Sequence, residues 1–367
     1  MESKETKMLR AAYRELELEA RDYADPATVA ATVRRRRARR ATVTAVLAMV
    51  TVAGVVGYGP WRSSQAGPVT AVMTSATAEA APGTAGPLTV RPPASASPLP
   101  EGTAGASGLL VYTSCTYGCP TYLVLADGRQ RLLGEQTVFP PGNITLSPDG
   151  RWLGLPIGAG YELRDLIGDA VHVIDAPPKS APGAVYSPWA WSADGRRLVL
   201  GHHTSGDVGA YAQVDPADGT VTALRLPSGS EPLGMLASGE PLLFDESRYG
   251  KRSAVIELTV GRTGRRITLD AGSTPLVTAN GGPAIQVRGE RVYAVAPDLT
   301  VVIAFDLDGR ELYRLPLSPG ETPLAPIGDG FGVLTESALE LRTDTGTRTL
   351  YDLPKDVQMV LPGQARH

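Results

Sequence analysis

Two stretches of this chain are near copies of one another. Ser147-Pro-Asp-Gly-Arg-Trp-Leu-Gly-Leu155 is followed, 45 residues later, by Ser192-Ala-Asp-Gly-Arg-Arg-Leu-Val-Leu200. Each reads as a tight turn between two strands: Asp-Gly supplies the φ > 0 backbone the turn needs, and alternating apolar residues follow on the second strand. A short motif at this interval restricts the chain to stacked or circular repeats of one small sheet, because a repeat of that length cannot bury its apolar face alone.

From Gly108 onward a turn-and-end pattern recurs six times. The last strand of each unit ends at Arg131-Leu-Leu133, Val171-His-Val-Ile174, Val221-Thr-Ala-Leu224, Arg266-Ile-Thr-Leu269, Leu312-Tyr-Arg-Leu315 and Arg348-Thr-Leu-Tyr351. Two hairpins fit each unit. One turns at the opening motif and its equivalents Ala237-Ser-Gly-Glu240, Val287-Arg-Gly-Glu290 and Gly328-Asp-Gly330. The other turns at Ala126-Asp-Gly128, Ala217-Asp-Gly219, Leu307-Asp-Gly309 and Asp344-Thr-Gly346. Four-stranded units at roughly 40–50 residues match the period of propeller blades. The first unit, 108–133, has room for three strands only. The C-terminal run Val357-Gln-Met-Val-Leu361 is expected to supply its missing inner strand, closing the ring without an open sheet edge. The expected fold is therefore all-β: a six-bladed β-propeller over 108–367, with N- and C-terminal strands closing one blade.

The chain ahead of that domain divides into three parts. Residues 1–40 carry 11 Lys+Arg against 7 Asp+Glu, while the remainder carries 24 basic and 31 acidic residues. An acidic main body argues against a nucleic-acid surface there. Leu9, Ala12, Tyr13, Leu16, Ala20 and Tyr23 recur at helical spacing, and Asp25-Pro26 marks the start of a second helix leading into Arg34-Arg-Arg-Arg-Ala-Arg-Arg40. Residues 41–59 are uncharged, which at 1.5 Å per residue is about the length that crosses a hydrocarbon core of roughly 30 Å. The arginines before this stretch set the N-terminus in the cytoplasm and the C-terminal domain outside the cell membrane. Residues 60–107, rich in Ala, Gly, Pro, Ser and Thr, read as a disordered spacer.

The two best-preserved units carry a family resemblance. Leu146-Ser-Pro-Asp-Gly-Arg-Trp-Leu-Gly-Leu155 and Trp191-Ser-Ala-Asp-Gly-Arg-Arg-Leu-Val-Leu200 resemble the WD40-like repeat of TolB-type β-propellers, with an apolar residue, Ser-Pro-Asp-Gly, a basic residue and an apolar strand. The resemblance spans about 108–361. It implies six blades and a recognition role, with proteins or peptides bound at the propeller face or channel; some relatives of this kind are enzymes. The segment before residue 60 is similar in arrangement to membrane-tethered anti-sigma proteins, although residues 1–40 contain neither His nor Cys and so lack a zinc site.

Candidate chemistry is sparse. Asp149 and Asp194 recur, as turn formers do, whereas a catalytic pair serves a single site. Gly201-His-His-Thr-Ser-Gly-Asp207 holds the ligand types His202, His203 and Asp207, but adjacent strand residues point to opposite faces, so a polar hairpin tip is expected and no metal. Cys115 and Cys119, in the matching hairpin of the first unit, are expected to form a local disulfide in an oxidising compartment. Trp152, Trp189 and Trp191 are expected to pack between blades rather than to form a ligand platform. The sequence lacks a Gly-x-Ser-x-Gly elbow, a phosphate-binding glycine loop and zinc-ligand spacing. The expected function is a membrane-anchored, extracytoplasmic, non-catalytic module of the cell envelope, without cofactor, binding a protein or peptide ligand. The alternatives are an anti-sigma-like regulator with a cytoplasmic protein partner for residues 1–40, and a hydrolase or lactonase sited in the propeller channel.

Overall fold

The computed structural model describes residues 87–115, 118–134, 143–158, 160–175, 185–204, 207–245, 253–278, 281–355 and 357–364. The expected cytoplasmic helices, the span at 41–59 and the spacer up to residue 86 lie outside these residues. Among the described residues no helix is long and apolar enough to cross a membrane.

The described chain forms six antiparallel sheets, each of four principal strands, taken here from the inner to the outer strand. Blade II is Thr145–Leu146, Trp152–Ile157, Gly160–Asp165 and Val171–Ile174; blade III is Val185–Trp191, Leu198–Thr204, Asp207–Val214 and Val221–Leu224. Blade IV is Ser230–Met235, Pro241–Asp245, Val255–Val260 and Arg266–Asp270. Blade V is Gly281–Arg288, Arg291–Val295, Val301–Asp306 and Glu311–Pro316, with Val277–Thr278 paired inside it. Blade VI is Thr322–Ile327, Gly330–Leu334, Ala338–Arg342 and Thr347–Asp352. Blade I takes Gly108–Thr113, Thr121–Leu125 and Gln130–Gly134 from the beginning of the domain and Gln358–Val360 from its end. The C-terminal strand pairs antiparallel with the register Gln358↔Thr113, Met359↔Tyr112 and Val360↔Val111, as the short first unit requires.

The core follows from this pattern. Successive blades bury apolar faces against each other, giving one cluster per interface. Leu123, Leu146 and Leu153 join blades I and II; Trp152, Tyr161, Trp191 and Leu198 join II and III; Ala190, Val199 and Met235 join III and IV. Phe244, Ile256, Ile285 and Phe305 join IV and V; Tyr293, Val302, Phe331 and Val333 join V and VI. Leu110, Tyr112, Leu339, Met359 and Leu361 close VI onto I. The inner strands approach closely at Gly234, where an added Cβ would lie 2.6 Å from Val287 of the next blade.

The opening motif folds identically in blades II and III, with one correction to its geometry. It is a four-residue loop, closed by Ser147 N–H to Trp152 O and Ser192 N–H to Arg197 O, both 2.9 Å. Only the glycine of each Asp-Gly pair is left-handed: Gly150 has φ 68° and Gly195 has φ 69°. The aspartate contributes through its side chain. Ser147 Oγ donates to Asp149 Oδ1 at 2.5 Å and Ser192 Oγ to Asp194 Oδ1 at 2.6 Å, while the Arg151 and Arg196 N–H groups each donate to the same carboxylates at 3.1 Å.

A second correction concerns the spacer. The packed chain reaches back past Gly108, so its last part is a strap rather than a free tether. Leu88–Thr89 pairs parallel with the outer strand of blade VI, and Ser97–Pro98 pairs parallel with the outer strand of blade I. Val90 and Ala104 are buried. Tyr112 Oη donates to Gln130 Oε1 at 2.7 Å, and Gln130 Nε2 donates to Arg91 O at 3.1 Å, tying the strap to the seam. Farther on, Arg164 Nη1 of blade II donates to Pro100 O, and Ala104 N–H donates to Leu166 O. The strap therefore crosses blades VI, I and II. The sequence carries no strand periodicity here, because Val90 and Leu99 are isolated apolar residues in a Pro/Ala-rich stretch.

Candidate binding face

Antiparallel blades divide the connections between two faces. The tight turns, including both copies of the opening motif, emerge on one side. The loops between second and third strands, and the blade-to-blade connections, emerge on the other.

The end of the chain lies on the turn face, beside the inner strand of blade II. After Val360 the chain continues past the inner strand of blade II, where Pro362 bridges Leu146 and Gly363 N–H donates to Leu146 O at 2.8 Å. A Cβ placed on Gly363 would lie 3.3 Å from Pro148 of blade II and 3.3 Å from Arg288 Nη1 of blade V. Blades II and V stand on opposite sides of a six-membered ring, so it is the Arg288 side chain that reaches inward toward the chain end lying beside blade II. Arg288 Nη1 also donates to Pro326 O of blade VI at 3.1 Å.

On the loop face, at the seam between blades VI and I, lies a cavity of about 360 Å³ lined by Leu334, Thr335, Glu336, Pro354, Lys355 and Val357. Leu334 and Val357 supply an apolar floor next to the seam core. Glu336 and Lys355 form an exposed ion pair at the rim. The half-open lining offers both charged and apolar contacts. Thr335 is held by its own turn, with Oγ1 donating to Ala338 O and accepting from Ala338 N–H, both at 3.1 Å. Sequence reasoning did not find this cavity, since its lining comes from two segments that meet only through the pairing of the third and outer strands of blade VI, Ala338 opposite Asp352.

The residues singled out from sequence fall as follows. Cys115 and Cys119 are joined by a disulfide with Cα atoms 5.8 Å apart, in the loop-face hairpin of blade I. His202 is buried and packs edge-on to Tyr186 with ring centroids 5.3 Å apart. The register of its strand shifts between His202 and His203. The side chains of His203 and Asp207 lie outside the described residues. No group of three or more His, Cys, Asp or Glu suited to holding a metal occurs among the described residues.

The tryptophans span blade interfaces. Trp191 Nε1 donates to Thr145 Oγ1 of blade II at 2.8 Å, Trp152 is buried in the same cluster, and Trp189 Nε1 donates to Pro232 O of blade IV. Asp149 and Asp194 sit on the turn face, away from the cavity. Burial opposes ionisation of Asp194, but hydrogen bonds from Ser192 and Arg196 hold its carboxyl below the usual range.

No family profile and no curated protein matches this chain. Several solved structures are similar to it in fold. TolB from Acinetobacter baumannii is 17% identical over 70% of this chain and 67% of its own, with a TM-score of 0.47. AztD from Citrobacter koseri is 11% identical over 71% of this chain and 99% of its own, with a TM-score of 0.39. The dihydro-heme d1 dehydrogenase NirN is 14% identical over 75% of this chain and 57% of its own, with a TM-score of 0.36. At these identities the likeness concerns fold alone, and the six-bladed architecture rests on the strand pairing described above.

Proposed function

We propose that this chain is a membrane-tethered, extracytoplasmic propeller that binds a protein or peptide ligand on its loop face without catalysis. The observation that carries this reading is the asymmetry of the two faces: the chain end lies along the inner strand of blade II on the turn face, while the cavity lined by Leu334, Thr335, Glu336, Pro354, Lys355 and Val357 opens on the other. The Cys115–Cys119 disulfide supports an oxidising compartment, and the uncharged stretch 41–59 behind six arginines supports the anchor and its orientation. The regulatory variant of this reading adds a cytoplasmic partner on residues 1–40 and keeps the same outer site.

Site-specific photo-crosslinking of the full chain in its native membrane tests the reading. A benzophenone side chain at Thr335 is expected to give a protein adduct, and one at Asp127 on the turn face is not. Adducts at Asp127 with none at Thr335 would overturn the proposal. Pull-down with residues 1–40 separates the regulatory variant, which requires a cytoplasmic protein to be recovered.

A further inference from the structure

We propose that the strap is a latch on the seam cavity. Docking of its first stretch, residues 88–91, holds the wall that Pro354, Lys355 and Val357 contribute, and release of that stretch loosens the wall. This inference rests on the reading of the cavity as the binding site and names how that site is regulated. The wall belongs to the connection between Asp352, the end of the outer strand of blade VI, and Gln358, the start of the inner strand of blade I. A connection outside any sheet takes its position from what packs on it. Here Val90, Leu353 and Val357 share one buried cluster, and Leu334 of the cavity floor packs against it.

The strap braces this connection at both ends. At one end, Leu88–Thr89 pairs with Tyr351–Asp352, and Val90 N–H donates to Asp352 O at 2.9 Å, one residue before Leu353. At the other, Arg91 O accepts from Gln130 Nε2, and Gln130 Oε1 accepts from Tyr112 Oη. Tyr112 lies opposite Met359, two residues beyond Val357. Three of the six residues lining the cavity therefore sit in a segment whose two ends answer to residues 88–91.

The strap is held in two unequal parts. Its later part pairs Ser97–Pro98 with Arg131–Leu132 and adds Leu99 N–H on Leu132 O, Arg164 Nη1 on Pro100 O, and the Ala104 and Gly105 N–H groups on Leu166 O. Its first part relies on the Leu88–Thr89 pair, the bonds at Val90 and Arg91, and the buried Val90 side chain. Local opening is easiest where buried apolar contacts and protected bonds are fewest, so the first part opens while the later part stays docked. It is also the part that anything acting on the chain ahead of Leu88 reaches first, which gives the regulatory variant a route to the outer site. Docking of residues 88–91 and occupation of the cavity then favour each other reciprocally.

Hydrogen exchange of the purified full chain, read by mass spectrometry, tests the latch without a ligand. Val90→Asp puts a carboxylate at a position that is 1% exposed, and Val90→Ala trims the same contact without adding charge. In both variants exchange is expected to rise at residues 88–91 and, together with it, at 353–360. The rise is about tenfold for Val90→Ala, the loss of two buried carbons, and larger for Val90→Asp. Residues 97–99 and 198–202 keep their wild-type rates. Leu353 is the deciding amide, because its N–H donates to Ser337 O and not to the strap. A rise at 88–91 with 353–360 unchanged, an equal rise at 97–99, a rise in every blade, or no rise in either variant would each overturn the proposal. The Thr335 adduct reports on binding and the exchange pattern on the latch, so the two proposals fail separately.

Discussion

At the scale of single residues, recurrence separated structural roles from chemical ones. Asp149 and Asp194 hold equivalent loops through equivalent bonds, to the preceding serine hydroxyl and to the N–H two residues on. An Asp194→Ala variant loses both bonds at a partly exposed site. It is expected to cost about 1 kcal/mol, read as a drop of roughly 2–4 °C in melting temperature for a domain of this size, with no change in the Thr335 adduct. Arg342 makes the stronger polar contact, with Nη1 and Nη2 donating to the two oxygens of Glu321 at 2.7 and 2.6 Å. These bonds, with the Ser318 N–H, hold the Glu321 carboxyl below its ordinary range against the opposing effect of burial. A depressed carboxyl contributes stability above its unfolded pKa of about 4.3, and that stability disappears as pH falls through the lower folded value. Glu321→Gln is therefore expected to be less stable by about 1–2 kcal/mol at pH 7. The difference should narrow below about pH 4, as thermal melts across pH would show.

At the scale of elements, arginines on the third and outer strands fasten neighbouring connections. Arg314 reaches Ala271 O and Thr274 Oγ1 in the connection from blade IV to V, both at 3.0 Å, and Arg342 reaches Glu321 in the connection from V to VI. Arg164 does the same for the strap at Pro100 O. The strap and the C-terminal strand are complementary closures: one seals the outer rim across blades VI, I and II, the other fills the inner position of blade I. A chain beginning at Gly108 keeps every principal strand but loses buried Val90 and Ala104 and uncovers two edges. It is expected to be destabilised by about 3 kcal/mol and to self-associate through the newly open strands. Denaturant melts and sedimentation compared with the full chain check both effects; unchanged stability would mean that the strap is only draped on the rim.

At the scale of the whole molecule, six interblade clusters of similar character are joined at one seam, where the two ends of the domain meet. The cavity at Thr335 and Lys355, the entering C-terminal strand and the strap all belong to that seam. The sequence by itself determined the class of fold, the number of blades, the turn positions in most of them and the need for a borrowed strand. Those features are written locally, in Asp-Gly turns, in two-residue alternation and in a first unit one strand short. It also assigned Asp149 and Asp194 to turns, since repeated positions serve every blade, and Trp152 and Trp191 to packing between blades. The tertiary structure alone decided where residues 88–107 lie, on which face residues 361–364 run, and which edges the strap covers. Those outcomes depend on partners such as Val360 and Val111, or Ser97 and Arg131, that meet only once the ring has closed. Taken singly, such residues look like any others in an Ala- and Pro-rich chain, and only their neighbours across the seam give them a role.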